Sequence, residues 1–311
     1  LSQWIILLDL EELTQHLSSK KSKFLIFLLG LSVFGIALLG SSESFTYSKV
    51  SNNLTNYTVT SGKSFNSIFN EFSLNPVEIV LLKIFLKRNS LNTVQAGHYD
   101  LKNKSWRDFL LSIANGDVVI FKLNIPAGKS LYEIKKIISD SRLNNDCDDF
   151  ECLDDRFKFL EGTLKADTYF YKDLSSAANI LKKSQNEFFK LASTLWSNKN
   201  TVLPLKNLTE AIILASIVEK EAGNDLEKPI IAGVFLHRIS IGMKLQADPT
   251  IIYGLLPDFD GNITKANLKD KNNPYNTYQI SGLPPTPIST ISKSSLEAVI
   301  LGMRNDYLYF V

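Results

Sequence analysis

The segment Phe24 to Gly40 (FLIFLLGLSVFGIALLG) limits what this chain can become more than any other. It is about 17 residues without a charge, near the lower limit for a helix that spans a bilayer. It is apolar on every face, whereas a helix on the surface of a soluble domain keeps a polar stripe. Lys20, Lys21 and Lys23 precede it, and only Glu43 and Lys49 follow before Lys63. Positive charge stays on the cytoplasmic side. The expected topology is therefore a cytoplasmic segment over 1–23, a transmembrane helix over 24–40, and everything after Ser41 outside. A cleaved signal peptide is the second reading. Against it, the run is longer than a usual signal core and no Ala-x-Ala site follows. The first 20 residues read as a short amphipathic helix, and Leu1 is not an initiator Met, so the natural start stays open.

The remaining length suffices for two domains of ordinary size. Of the 311 residues, 44% are hydrophobic and 21% charged, a globular composition rather than a disordered one. A net charge of +2 without a basic stripe argues against nucleic acid as a partner. The three histidines (His16, His98, His237) are not spaced as a pair, so no metal site is expected, and no cofactor motif is present. Cys147 and Cys152 lie in the acidic stretch DCDDFECLDD, which lacks the second half of a zinc site. They form either a local disulfide or two unpaired thiols in a loop.

Residues 41–56, rich in Ser and Asn, read as a linker. A weak internal repeat follows. Tyr57 to Phe72 (YTVTSGKSFNSIFNEF) resembles Leu123 to Ile138 (LNIPAGKSLYEIKKII), each reading as a strand, a Gly turn, and a helix capped by Ser64 or Ser130. The shared GKS suggests a phosphate-binding loop, but the earlier Gly of that motif is Tyr57 in one copy and Leu123 in the other. A β–α unit used for packing, or for binding a repetitive polymer, fits better. Helices are expected over Pro76–Lys87 and Ser105–Asn115, with a turn into a strand at Ala96–Leu101. The result is a compact α+β module over 57–120, a connecting β–α unit and acidic linker over 121–156, and a second domain over 157–311. In that domain Ala177–Trp196 and Pro229–Ile241 read as helices.

Between them lies IILASIVEKE (212–221), read as a helix capped by Thr209 or Asn207. At about 100° per residue, Ile213, Leu214, Ile217 and Val218 share one side with Glu221 in their midst. Ser216, Glu219 and Lys220 fall on the other, which makes Glu219 a solvent-facing acid. A carboxyl on the core-facing stripe is either paired or holds its proton to higher pH, as a general acid must. Leu245–Leu255 and Asn272–Ser289 are turn-rich loops of the kind that carries binding residues. They offer Gln246, Asp248, Tyr253, Tyr275, Asn276, Thr277 and Tyr278, whose amide, hydroxyl and aromatic groups suit a polyhydroxylated, amide-bearing ligand. The same Asp-Pro-Thr and Pro-Tyr-Asn runs also form ordinary turns and caps.

ASIVEKEAG (215–223), VFLHRISIGMKLQADPTIIYG (234–254) and PYNTYQISGLPPTPI (274–288) resemble the endolytic murein transglycosylase (YceG-like) family, as does EGTLKADTYFY (161–171). The resemblance covers most of residues 57–311. It departs at Lys165-Ala166, where Phe-Pro is usual, at His237 (Asn), at Thr286 (Gly) and at Thr290-Ile291-Ser292 (Asn-Pro-Gly). The chain also stops at Leu308–Val311, on what reads as a strand, where the family continues.

The resemblance implies an α+β protein: a transmembrane helix, a small LysM-like module, then a mixed α+β catalytic domain with Glu221 as the catalytic acid. The implied reaction cleaves the MurNAc-β-1,4-GlcNAc bond within peptidoglycan strands. It leaves 1,6-anhydroMurNAc ends and stops the growth of nascent strands. It implies a bacterial inner or plasma membrane location with the catalytic domain outside, and penicillin-binding synthases as partners. Two alternatives stand beside it: a non-catalytic peptidoglycan-binding scaffold, and a hydrolytic muramidase pairing Glu221 with Asp248.

Overall fold

The computed structural model describes residues 20–51, 53–302 and 305–310, and its architecture is mixed α+β. The amphipathic segment expected over the first 20 residues lies, but for Lys20, outside the described residues. The chain divides into two compact units, residues 1–119 and 120–311.

The first unit opens with helix α1 (Lys20–Thr46). Its side chains from Phe24 to Leu39 are largely exposed, and among the described residues it is the one helix long and apolar enough to cross a membrane. The helix runs through the first part of the expected linker. Its last turns are polar but partnered: Ser42 Oγ donates to Leu81 O (2.7 Å), and Glu43 pairs with Arg107 (2.5 Å) and Arg88 (3.6 Å). The next residues are pinned as well, with Val50 N donating to Lys104 O and Trp106 N to Ser48 O. A stretch read as linker because it is polar is thus held by hydrogen bonds.

Strand β1 (Asn56–Val59), helices α2 (Phe65–Glu71) and α3 (Pro76–Arg88), strand β2 (Gly97–Asp100) and helix α4 (Trp106–Asn115) complete this unit. The two strands pair antiparallel, from Asn56↔Asp100 to Val59↔Gly97. Ser64, Asn75 and Ser105 cap the three helices, each in a reciprocal box with the third helical residue. The core is an aromatic cluster of Phe69, Phe85, Tyr99, Trp106 and Phe109.

The second unit begins with β3 (Ile120–Ile125) and α5 (Leu131–Ser139), the second copy of the strand–turn–helix repeat. Gly62 (φ 85°) and Gly128 (φ 77°) make the two turns in the left-handed region that favours glycine. The GKS lysines are engaged with acids, Lys63 with Glu71 (2.8 Å) and Lys129 with Glu133 (2.6 Å). The β–α unit read as a connection belongs to this unit, because β3 pairs antiparallel with β4 (Asp167–Lys172), from Ile120↔Lys172 to Ile125↔Asp167. The acidic stretch between them carries a Cys147–Cys152 disulfide.

Helices α6 (Ala177–Ser197), α7 (Leu208–Glu221), α8 (Lys228–Ser240), α9 (Asp248–Gly254), α10 (Lys265–Lys269) and α11 (Lys293–Ile300) follow. Helix α7 is the axis of the second unit and touches α6, α8, α9 and α11. Among the described residues no strand forms over 305–310, which are irregular, and Leu308 O accepts from Arg238.

Candidate active site

Glu221 is the last residue of α7. Asn207 starts that helix by accepting from Glu210 N (2.9 Å), and Ala222, in an extended conformation, ends it. Ala211 to Val218 are buried without a break, so the helix is enclosed on all sides rather than along one stripe. Ser216, expected on the solvent side, is fully buried and accepts from Ile288 N (3.0 Å). Glu219, expected as a solvent-facing acid, is part-buried, with its side chain only 10% exposed. It accepts from Ser292 N (3.0 Å), Ser292 Oγ (2.5 Å) and Ser295 Oγ (2.6 Å), and pairs with Lys228 (3.4 Å). The helical wheel misplaced both because neighbours cover the face it assigned to water.

Glu221 differs from Glu219 in having no partner among the described residues. Among the described residues its carboxyl makes no hydrogen bond or ion pair, and its side chain is only part-buried. Burial pushes its pKa up to about 7, the nearby Asp248 adds to the rise, and Arg238 opposes it. Arg238, not anticipated from sequence, is buried on α8. Its guanidinium is held by carbonyls, Leu308 O (2.8 and 2.6 Å) and Leu245 O, and lies over the Tyr309 ring. It sets a fixed positive charge near Glu221 without pairing to it. Asp248, at the start of α9, is exposed and accepts from Tyr278 OH (2.7 Å). Burial and that contact raise the Tyr278 phenol to about 12.

The remaining candidates divide. Gln246 is exposed, its backbone in the left-handed region (φ 51°), an unfavourable conformation for a non-glycine residue beside a site. Tyr253 and Tyr275 pack edge to face, with ring centroids 4.8 Å apart. Asn276 and Thr277, expected to touch ligand, are fully buried and spent on the loop itself. The Asn276 amide donates to Asn267 O (2.9 Å) and Asp270 O (2.8 Å). Thr277 Oγ1 accepts from Ala247 N (2.9 Å). Their polar side chains serve as clamps because two loops without regular structure leave backbone groups to satisfy.

Sequence reasoning also missed Glu161. It is 7% exposed, and its carboxyl accepts from Leu131 N (3.0 Å), Gly162 N (3.2 Å) and Tyr253 OH (3.1 Å), with no cation beside it. Burial pushes its pKa up to about 7. It borders a cavity of about 560 Å³ that Tyr253, Tyr275 and Thr286 also line.

The departures from the family pattern have local roles. Lys165 pairs with Asp167 (2.7 Å) and Glu187 (3.3 Å). Thr290 holds the Gly128–Lys129 turn through its backbone and hydroxyl. Thr286 bonds the Tyr275 hydroxyl (2.8 Å). Among the described residues no group of three or more His, Cys, Asp or Glu could hold a metal ion.

The YceG-like family profile matches residues 57–311. An endolytic murein transglycosylase of Bacillus subtilis (strain 168) is 28% identical over 90% of this chain and 85% of its own length. One from Streptococcus pneumoniae (serotype 2, strain D39) is 28% identical over 75% of this chain, which spans about half (49%) of that longer protein. The crystal structure of a YceG-like protein from Listeria monocytogenes superposes with a TM-score of 0.54 at 27% identity, covering 82% of this chain and 92% of that one.

Proposed function

The chain belongs to the YceG-like family, and from that membership and the unpartnered carboxyl of Glu221 we propose that it is an endolytic murein transglycosylase. The observation that carries this is a half-buried acid with a pKa near 7, held at a helix end with no partner of its own. Protonated, Glu221 gives its proton to the O4 of the departing N-acetylglucosamine. The carboxylate so formed takes the proton of the muramyl C6 hydroxyl, whose oxygen bonds to C1 as the C1–O4 bond breaks. The product ring is 1,6-anhydro and no water is consumed. The nucleophile comes from the substrate, so the second carboxylate of ordinary glycosidases is not required.

Arg238 limits the rise in the Glu221 pKa and stabilises its charged form after proton transfer, while Asp248 holds the proton on beforehand. Gln246, Asp248, Tyr253, Tyr275 and Tyr278 line the glycan path. Asn276 and Thr277 shape it from behind. The apolar part of α1 supports a single-pass anchor with the N-terminus cytoplasmic and the residues after about Ser41 outside. The β1–α2–α3–β2 order supports a LysM-like, peptidoglycan-binding module over 57–120. By family resemblance the chain works beside a penicillin-binding synthase.

Mass spectrometry of products from isolated sacculi tests the reaction. The expected muropeptides end in anhydroMurNAc, each lighter by one water than a hydrolysis product. Sacculi that bind without release of products would instead make the chain a scaffold.

The proximity of Asp248 to Glu221 favours one rival, a two-carboxylate hydrolase. Asp248→Asn separates the two. Removing the negative charge lowers the Glu221 pKa, so the alkaline limb of the pH–rate profile is expected to move to lower pH while anhydro products persist. A hydrolase that needs Asp248 would lose about 10²-fold or more in rate and would release reducing ends.

A further inference from the structure

The cavity bordered by Glu161 is separate from the immediate surroundings of Glu221, yet two short structural links join them. Helix α9 carries Asp248, beside Glu221, in its first turn and Tyr253, on the cavity, in its last. At 1.5 Å per residue these positions lie about 7.5 Å apart along the axis, a separation on the scale of a sugar unit or two. From the other side, Lys220, the neighbour of Glu221, donates through Nζ to Gly128 O (3.2 Å). Two residues further on, Ser130 and Leu131 line the cavity.

The walls suit a pyranose ring. Tyr253 and Tyr275 present the faces and edges of an edge-to-face aromatic pair, its planes 65° apart, and aromatic surfaces of this kind accept the apolar face of a ring. Glu161 contributes a carboxyl oxygen to the floor beside the Tyr253 hydroxyl, and Thr286 contributes a hydroxyl. Tyr132 stands on the rim from α5, 61% exposed. The volume, about 560 Å³, lies in the range of small-ligand sites. Lys158 is the one cation in the lining, and it is exposed. A floor carboxyl without an adjacent cation suits hydroxyl and acetamido N–H donors better than the carboxylates of a peptide stem.

We propose that this cavity is a distal subsite for a sugar ring of the same glycan strand, beyond the scissile bond. Tyr132, Tyr253 and Tyr275 form its walls and Glu161 accepts a hydrogen bond from the sugar. The proposal rests on the reading of the chain as a glycan-strand enzyme and gives that enzyme a reason to favour strand interiors. A ring held here requires the strand to continue past the cleaved bond.

The test is equilibrium binding by the full chain carrying Glu221→Gln, with and without Tyr132→Ala, to peptidoglycan strands stripped of peptide stems and sized by length. Tyr132 is exposed, so its removal should leave the melting temperature unchanged. Tyr132→Ala is expected to weaken binding of long strands about fivefold, the effect of truncating a moderate aromatic anchor. A tetrasaccharide that only brackets the scissile bond should bind equally well to both forms. Glu161→Gln, which retains an acceptor, should weaken long-strand binding less than Tyr132→Ala does. An equal loss for short and long ligands, no loss for either, or no binding of strands by the parent form would overturn the subsite. So would a loss seen only with stem-bearing strands, which would give the cavity to the peptide. Release of anhydro ends by the unmodified chain tests the reaction separately. A chain that shows this length dependence but releases nothing would keep the subsite and lose the transglycosylase.

Discussion

Glu221→Gln is expected to lower the release of anhydro-ended fragments from sacculi by about 10³-fold, the middle of the range for a lost general acid that also serves as the base. The same substitution is expected to stabilise the protein at neutral and alkaline pH. Folding raises the Glu221 pKa from 4.5 to about 7, so between those values the folded state binds more protons than the unfolded one. Stability therefore falls as pH rises through this window, and the destabilisation is complete above pH 7. Gln carries no charge to desolvate. At pH 8 the variant should be more stable by about 2 kcal/mol, a value below the full linkage estimate because the carboxyl retains some solvent access. At pH 4.5 the two forms should unfold at nearly the same denaturant concentration. Denaturant titrations at both values check this. A variant that is inactive but less stable at pH 8 would mean that Glu221 supports the fold and that its loss is not a measure of catalysis.

Glu219→Ala is expected to do the opposite. Two residues away on the same helix, it should cost about 3–5 kcal/mol of stability, as removal of one partner from a buried charge pair does. The side chains of Glu219 and Lys228 are 10% and 7% exposed, and Glu219 also accepts from the Ser292 and Ser295 hydroxyls. Its loss would leave Lys228 with Asp225 alone among the acids and remove the acceptor for Ser292 N and for the Ser292 and Ser295 hydroxyls at the start of α11. Chemical denaturation measures the loss directly. Glu219→Gln, which keeps one acceptor oxygen, should cost less. If Glu219→Ala changed stability by under 0.5 kcal/mol, as an exposed site would, the enclosure of α7 described above would be wrong.

These two acids also show how much could be read before the structure was known. The helix, a cap at either Asn207 or Thr209 (the structure uses Asn207) and the distinct standing of Glu221 are legible in periodicity and in the family motif. The contrast with Glu219 is not, because a wheel ranks faces by their own residues and knows nothing of the Ser292–Ser295 turn that arrives from far along the chain. The capped strand–turn–helix repeats are legible because Ser and Gly act locally, on their own backbone. The pairing of β3 with β4 is not, since the two strands are separated by a helix and the disulfide loop. Glu161 gave no local signal: it sits in a loop with no period to violate, and its two distant donors, Leu131 N and Tyr253 OH, make it unusual. Asn276 and Thr277 misled for the related reason that a turn residue and a ligand residue share the same chemistry until their partners are known.

The unbroken course of α1 changes what kind of attachment the first unit has. A flexible leader of the length expected over 41–56 would act as a leash, letting the module sample a hemisphere of positions. A helix that continues to Thr46 and is bolted to α3 by Ser42 and to Arg107 by Glu43 is a mast. Its 27 residues extend about 40 Å, of which the charge-free part takes about 26 Å. If that part is the anchor proposed above, the module would stand at one height, within a few residues of the lipid headgroups. Its working range is then set by the length of a rod, and lengthening or shortening that rod by a turn would move the module up or down by about 5 Å.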